Sequence, residues 1–458
     1  MTHTASQPEL KRVMGPGLLL LFIVGDILGT GIYALTGKVA NEVGGVVWLP
    51  FLVAFVVATV TAFSYLELVT KYPRAAGAAL YTHKAFGIHF LTYMVTFAVM
   101  ASGITSASTA ARAFAANFAE AFALDIAGGI GITLLGLAFI LVVALVNFRG
   151  VSESVKTNVV LTCVELSGLL IIIMIGMWAL GVGNGDFTRV FEIDTGDRSA
   201  FSAVVAGTAL AFFAMVGFED SVNMAEECKD PSRIFPKMLL LGLGLTGLVY
   251  VLVSITSIAL VPADQLGAGE TPLLKVVEAG APAFPVGIFA FITMFAVANT
   301  ALINMLMASR LLYGISSEGV VPATLGRVHR TRRTPYVAIA FTTLLAIGLI
   351  TFVGEIPELG GTTALLLLGV FAVVNVAVLV LRRDPVEHKH FRTPTILPVL
   401  GALSCLYLVS PFVERPAVQY RIAGYLLAIG AALWFVTWLA AKRAGREVPK
   451  IDPEHLGK

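Results

Sequence analysis

Four carboxylates, Asp26, Glu165, Glu219 and Asp220, fall inside stretches that are otherwise apolar. An acid in such surroundings is costly unless it faces a helix-bundle interior or a wet cavity, where it can take up a proton, hold a cation or pair with a neighbour. Three of the four travel with glycine, in Gly25-Asp26-Ile27-Leu28-Gly29-Thr30-Gly31-Ile32-Tyr33 and in Phe212-Phe213-Ala214-Met215-Val216-Gly217-Phe218-Glu219-Asp220-Ser221. Glycine weakens a helix by roughly 1 kcal/mol relative to alanine and admits other backbone conformations. Each stretch therefore reads as a helix break that presents bare N–H and C=O groups, or as a small-residue face for close packing. Asn299 and Asn304 add amides to another apolar run, five residues apart and so on different parts of a helix face. The cysteines, Cys163, Cys228 and Cys405, are isolated and no histidine cluster lies in an apolar run, so neither a metal centre nor a disulfide framework is expected. No nucleophile is placed beside a base at depth, which argues against an enzyme.

The elements that must position these groups are long and apolar. The chain has 458 residues, 57% of them hydrophobic and only 13% charged, far from a soluble domain. Apolar segments run at about 16–37, 45–70, 87–110, 127–147, 157–182, 202–225, 237–262, 284–318, 336–354, 361–382, 396–413 and 421–441. Each is near the roughly 20 residues that cross the hydrocarbon. The faulted segments are the first and the sixth, five spans apart, which is the spacing of an inverted repeat whose halves each open on a discontinuous helix. With the N-terminus inside, all but seven of the 31 Lys and Arg fall on one side; Lys38, Arg112, Arg189, Arg198, Lys275, Arg415 and Arg421 are the exceptions. Positive charge marks the cytoplasmic side, so both termini are placed there. The N-terminal apolar run exceeds a signal-peptide core and reads as a retained first span.

Between spans, Glu67 is expected to pair with a loop cation, and Ala225 to Lys237, with its prolines and charges, reads as a cytoplasmic loop. The hydroxyls of Ser102, Thr105, Ser106, Ser108 and Thr109 read as helix-packing groups. Spans eleven and twelve carry almost no polar residues and read as a peripheral pair.

Taken in order, Gly29-Thr30-Gly31-Ile32-Tyr33, Gly217-Phe218-Glu219, the run Glu226-Glu227-x-Lys229-x-Pro231-x-Arg233-x-x-Pro236 and the stretch from Arg310 to Pro322 resemble the amino acid-polyamine-organocation superfamily of secondary transporters. The resemblance covers nearly the whole chain. It implies an all-α integral membrane fold like that of the bacterial leucine transporter: twelve transmembrane helices, five plus five in inverted repeat, two of them discontinuous, with two peripheral helices. The corresponding divisions are an N-terminal tail (1–13), a first repeat (14–182), a second repeat (183–390), the peripheral pair (391–441) and a C-terminal tail (442–458). It puts a substrate carboxylate on the Thr30 hydroxyl and Gly31 amide and an amino group on the carbonyls of Ile27, Phe213 and Val216, with Asp26, Gly29 and Asn304 around them. Phe213 resembles the family's gating aromatic, and Glu219 an acid used in gating. The chain departs from the pattern where Glu165 replaces a lysine of the fifth span and Asp26 a small residue, so the lysine mechanism does not transfer. Ala75-Ala76-Gly77-Ala78-Ala79 likewise replaces a more usual double-glycine and tyrosine pattern.

The expected function is alternating-access transport of an amino acid or related amine by a multi-pass protein of a bacterial inner membrane. The partners are that small molecule and the lipid bilayer, with no nucleic acid and no cofactor. A proton is the expected coupling ion, taken up by Glu165 with Asp26, and sodium is the competing account. Amino acid or polyamine exchange and non-transporting amino acid sensing are the other readings.

Overall fold

The computed structural model describes residues 14–74, 77–124, 129–150, 155–443 and 450–451. In chain order its helices are α1 (Pro16–Ile27), α2 (Thr30–Val43), α3 (Trp48–Lys71), α4 (Gly77–Phe86), α5 (His89–Ala121), α6 (Gly129–Arg149), α7 (Val155–Gly181), α8 (Ala200–Ala211), α9 (Pro231–Leu260), α10 (Ala263–Gly267), α11 (Pro272–Gly280), α12 (Val286–Ser317), α13 (Tyr336–Phe352), α14 (Ile356–Leu381), α15 (Ile396–Val409) and α16 (Ala417–Arg443). Among the described residues, nine helices are long and apolar enough to cross a membrane, counting Ala200–Ala225 as one. The pair α1 and α2, bent by 40°, makes a further broken span, and α13 and α15 are shorter apolar helices. In lipid only such closed backbone hydrogen bonding is tolerated, which is why an apolar sequence of this length folds as helices.

Proline sets several starts. Pro16 and Pro231 stand at first helical positions, where a missing N–H costs nothing, so α9 begins six residues inside the stretch that the sequence suggests is loop. The shorter loop leaves Asp220–Glu227 as a 3₁₀ segment running up to it. Glu67, 2% exposed, does pair with a cation beyond a helix end: Arg382 grips it through Nε at 2.9 Å and a second nitrogen at 2.8 Å, and the Thr393 amide adds a third bond. This clamp ties the end of α3 to the end of α14. A fork-to-carboxylate pair of this kind gives orientation as well as attraction.

α5 lies at the centre, packed along α12 and α14, while α1 packs on α7 and α9 and α2 on α8. At the end of the molecule away from α4, the cations expected on the sparsely charged side find partners. Arg198 pairs with Glu42 and Arg112 with Glu270, at 2.8 and 2.7 Å, and Lys38 donates to the Gly267 carbonyl of α10. A strap around Phe187–Phe191 closes over the same end, where the Trp48 indole donates to the Val190 carbonyl and the Gly45 amide to that of Glu192.

Candidate functional site

The first break is short. α1 stops at Ile27, Leu28 and Gly29 are extended, and α2 starts at Thr30 with no side chain capping its free N–H groups. The second break is softer. α8 ends at Ala211, continues as a 3₁₀ turn over Phe212–Met215, and is extended at Val216 before the 3₁₀ segment that begins at Asp220. Gly217 has φ +123°, in the region that favours glycine, and its amide donates to Glu219 Oε2 at 2.9 Å. Glu219 thus caps the break from within.

The two breaks cross backbone on backbone. A Cβ on Gly31 would sit 2.4 Å from the Ala214 Cα, and one on Gly217 would sit 2.4 Å from the Asp26 carbonyl oxygen. Both readings of the glycines therefore hold together: they permit the breaks and they let the broken segments touch. The carbonyl of Ile27, expected to face a substrate ammonium, accepts the Tyr250 hydroxyl at 2.7 Å, which leaves one of its two lone pairs. The Phe213 carbonyl accepts the Val216 amide at 3.4 Å. Thr30 is 1% exposed, and its hydroxyl has no hydrogen-bond partner among the described residues. A buried polar group in that condition is rare enough to need an explanation.

Beside the second break lies a cavity of about 260 Å³ between α3, α4, α5, α12, α14 and the Val216–Met224 stretch. Val216, Glu219 and Asn304, three of the expected site residues, line it, with Asp220, Tyr65, Ser102, Ser106 and Thr363. Asp26, Ile27, Gly29, Thr30, Gly31 and Phe213 are not among its walls, because the glycine crossings fill the space between the breaks. The Phe213 ring lies instead against α14, where a Cβ on Gly360 would meet it at 3.4 Å. Asn304 donates to the Thr300 carbonyl at 2.9 Å and to Ser106 Oγ at 3.4 Å, which leaves its amide oxygen beside Gly103.

Glu165 sits apart from the cavity. It is 1% exposed on α7 and its Oε1 accepts from Asn299 at 3.0 Å, while its main-chain carbonyl accepts the Tyr33 hydroxyl at 2.6 Å. Asn299, not Asn304, is thus the amide that meets the intramembrane acid. Tyr33, Tyr250 and Asn299 were not singled out as site residues by sequence. A tyrosine hydroxyl inside an apolar run must find an acceptor, and that is the signal that marks Tyr33 and Tyr250.

The chain matches the family model described as amino acid permease over residues 18–434. It is 26% identical to a branched-chain amino acid permease and 25% identical to a methylthioribose transporter, both of Bacillus subtilis, with 94% and 95% of each chain covered. It is also 27% identical to the vacuolar cationic amino acid transporter 2 of Arabidopsis thaliana, over 83% of this chain and 61% of that one.

Proposed function

We propose, for a chain that belongs to the amino acid permease family, proton-coupled transport of an amino acid by alternating access. The observation that carries the reading is the crossing of two broken helices beside a cavity whose largely apolar wall carries Glu219, Asp220, Asn304 and Tyr65. The uncapped N-terminus of α2 and the unpartnered Thr30 hydroxyl suit a carboxylate, since free N–H groups and the helix dipole both favour an anion. The loosened end of α8 offers carbonyls to an ammonium group. A zwitterion bound between them needs the two segments to part, because their glycines are in contact in this closed arrangement.

We read the chain as twelve spans, ten of them in two halves of five, 14–182 and 183–390, each opening on a broken segment, and the last two a peripheral pair. In support, α4 follows the second span of the first half and α10 with α11 the second span of the other, on opposite faces by the count of crossings. We read the α4 face, and with it the cavity, as cytoplasmic and the membrane as a bacterial plasma membrane; the concentration of Lys and Arg on that side supports the orientation. The cavity wall is rich in acceptors: two carboxylates, the Asn304 amide oxygen and the Tyr65 hydroxyl, which lacks a partner among the described residues. Arg310, exposed at the rim, is the one cation in the lining. Such a wall matches a side chain that ends in hydrogen-bond donors better than an aliphatic one.

Glu165 is assigned the coupling proton. An acid held by a neutral amide and a tyrosine-anchored backbone biases the two-state equilibrium if its proton affinity differs between the two faces. Uptake of labelled lysine, glutamine and leucine into proteoliposomes, with pH and sodium gradients imposed separately, tests the whole. Uptake driven by a pH gradient is expected, and Glu165→Gln is expected to lose that drive while retaining exchange. A strict sodium requirement, or full pH-driven uptake by Glu165→Gln, would remove the proton assignment.

A further inference from the structure

Arg415 lies on the link between α15 and α16, in a region that the sequence gives no reason to connect with the broken helices. It is nonetheless 8% exposed, and its guanidinium reaches inward to four acceptors. Nε donates to the Leu408 carbonyl at 2.9 Å, which fixes the link to the end of α15. One terminal nitrogen donates to the Gly361 carbonyl of α14 and to the Gln419 side chain, each at 3.1 Å, and the other to the Ala209 carbonyl of α8 at 3.2 Å. Among the described residues no carboxylate is within ion-pair distance of it, so the buried charge is satisfied by carbonyl and amide dipoles alone. A charge held in this way is stable only while every acceptor stays in place.

The acceptors are placed around one point. Ala209 is in the last turn of α8, just before the 3₁₀ turn that carries Phe213. Gly360 and Gly361 are neighbours in α14: the first lies against the Phe213 ring, and the second has room for Gln419, since a Cβ there would fall 2.2 Å from its Nε2. One glycine thus takes the aromatic at the second break, and the next takes the group that carries Arg415. The fork spans α8 and α14 at the level of the Phe213 ring, on the far side of the ring from the cavity.

We propose that Arg415 is a positioning residue that latches α8 to α14 at Phe213 and so holds shut the face opposite the cavity, making α15 and α16 part of the gate. Opening that face requires α8 to leave α14, and the Ala209 bond must then break and the guanidinium be rehydrated. The last two helices are therefore coupled to the second break through the Ala209 and Gly361 carbonyls, while Leu408 and Gln419 fix the guanidinium to α15 and α16. The consequence for transport rests on the permease reading above, whereas the latch itself can be read without substrate.

The test uses Leu35→Cys, a fully buried position that approaches Gly360, in a chain whose Cys163, Cys228 and Cys405 are replaced by alanine. Labelling by a membrane-impermeant maleimide from the face opposite the cavity reports opening. In this background Arg415→Met should raise the labelling rate about tenfold, the shift expected from losing one hydrogen bond to a charged donor. Arg415→Lys keeps the charge but loses the fork that spans two helices, so its rate should fall between the two. A folded Arg415→Met that labels at the parental rate overturns the latch. Where Arg415→Met fails to fold, a parental rate in Arg415→Lys does the same. Loss of uptake in the unsubstituted protein would instead refute the transport reading and leave the labelling result standing.

Discussion

At the first break the chain goes from α-helix through two extended residues straight into a new α-helix, whereas at the second it loosens into 3₁₀ turns on both sides of Gly217. Among the described residues, the first leaves its N–H groups without a side-chain cap and a buried hydroxyl without a partner. At the second, the Gly217 N–H freed by the break is bonded by Glu219, and Val216 and Glu219 face the cavity. The difference separates two tasks. A stiff break with spare donors is suited to recognition of an anionic group, while a soft break capped by its own acid and latched through Arg415 is suited to movement.

The sharpest way to break this comparison is to keep the segments from touching. Gly31→Val puts branched carbons where the Ala214 Cα already stands 2.4 Å from a Cβ, and no side-chain rotation relieves a backbone contact. Uptake should fall about 100-fold or more, the scale on which a misplacement of about 1 Å acts. Gly217→Ala meets the Asp26 carbonyl at the same distance and adds the strain of positive φ, so it should be as severe. Proteoliposome uptake beside a gel-filtration profile checks both. A folded Gly31→Val protein with normal uptake would remove the first break from the site.

A smaller effect separates the capping of the second break from its charge. Glu219→Ala leaves the buried Gly217 N–H without its acceptor, a loss of about 1–3 kcal/mol, and uptake should drop about tenfold or more. Glu219→Gln keeps an oxygen in reach of that N–H and should retain most of the rate. Equal loss in the two variants would assign Glu219 to charge rather than to the cap.

How far these features were legible in the sequence follows from the distance over which each is fixed. The spans are local, since about 20 apolar residues suffice to announce one. The breaks are local too, because glycine and acid beside each other contradict an apolar helix whatever surrounds them. Glu67 was legible as a residue in need of a cation, but not that the cation is Arg382, more than 300 positions on. The crossing of Gly31 with Ala214, the Tyr250 bond to Ile27 and the reach of Arg415 to Ala209 were not legible at all. Each joins two residues that tell nothing of one another until the helices pack. The near absence of polar residues in the apolar runs 396–413 and 421–441 makes the last two spans read as bystanders, and the informative residue stands on the link between them.

The smallest effect belongs to Thr30, and it bears on the recognition half of the comparison. Its hydroxyl is buried and makes no hydrogen bond to any described residue, so deleting it takes nothing from the protein's own bonding. Thr30→Val keeps the shape and the β-branch, and the melting temperature should not fall. If the hydroxyl donates to a substrate carboxylate, the half-saturating substrate concentration should rise about fivefold to tenfold, the effect of roughly 1 kcal/mol, with the maximal rate little changed. Thr30→Ser should restore affinity, because it returns the hydroxyl without the methyl group. The measurement is initial uptake rate against substrate concentration for the three proteins. Unchanged half-saturation in Thr30→Val would place the carboxylate elsewhere, and the stiff break would then serve close packing against the soft one rather than recognition.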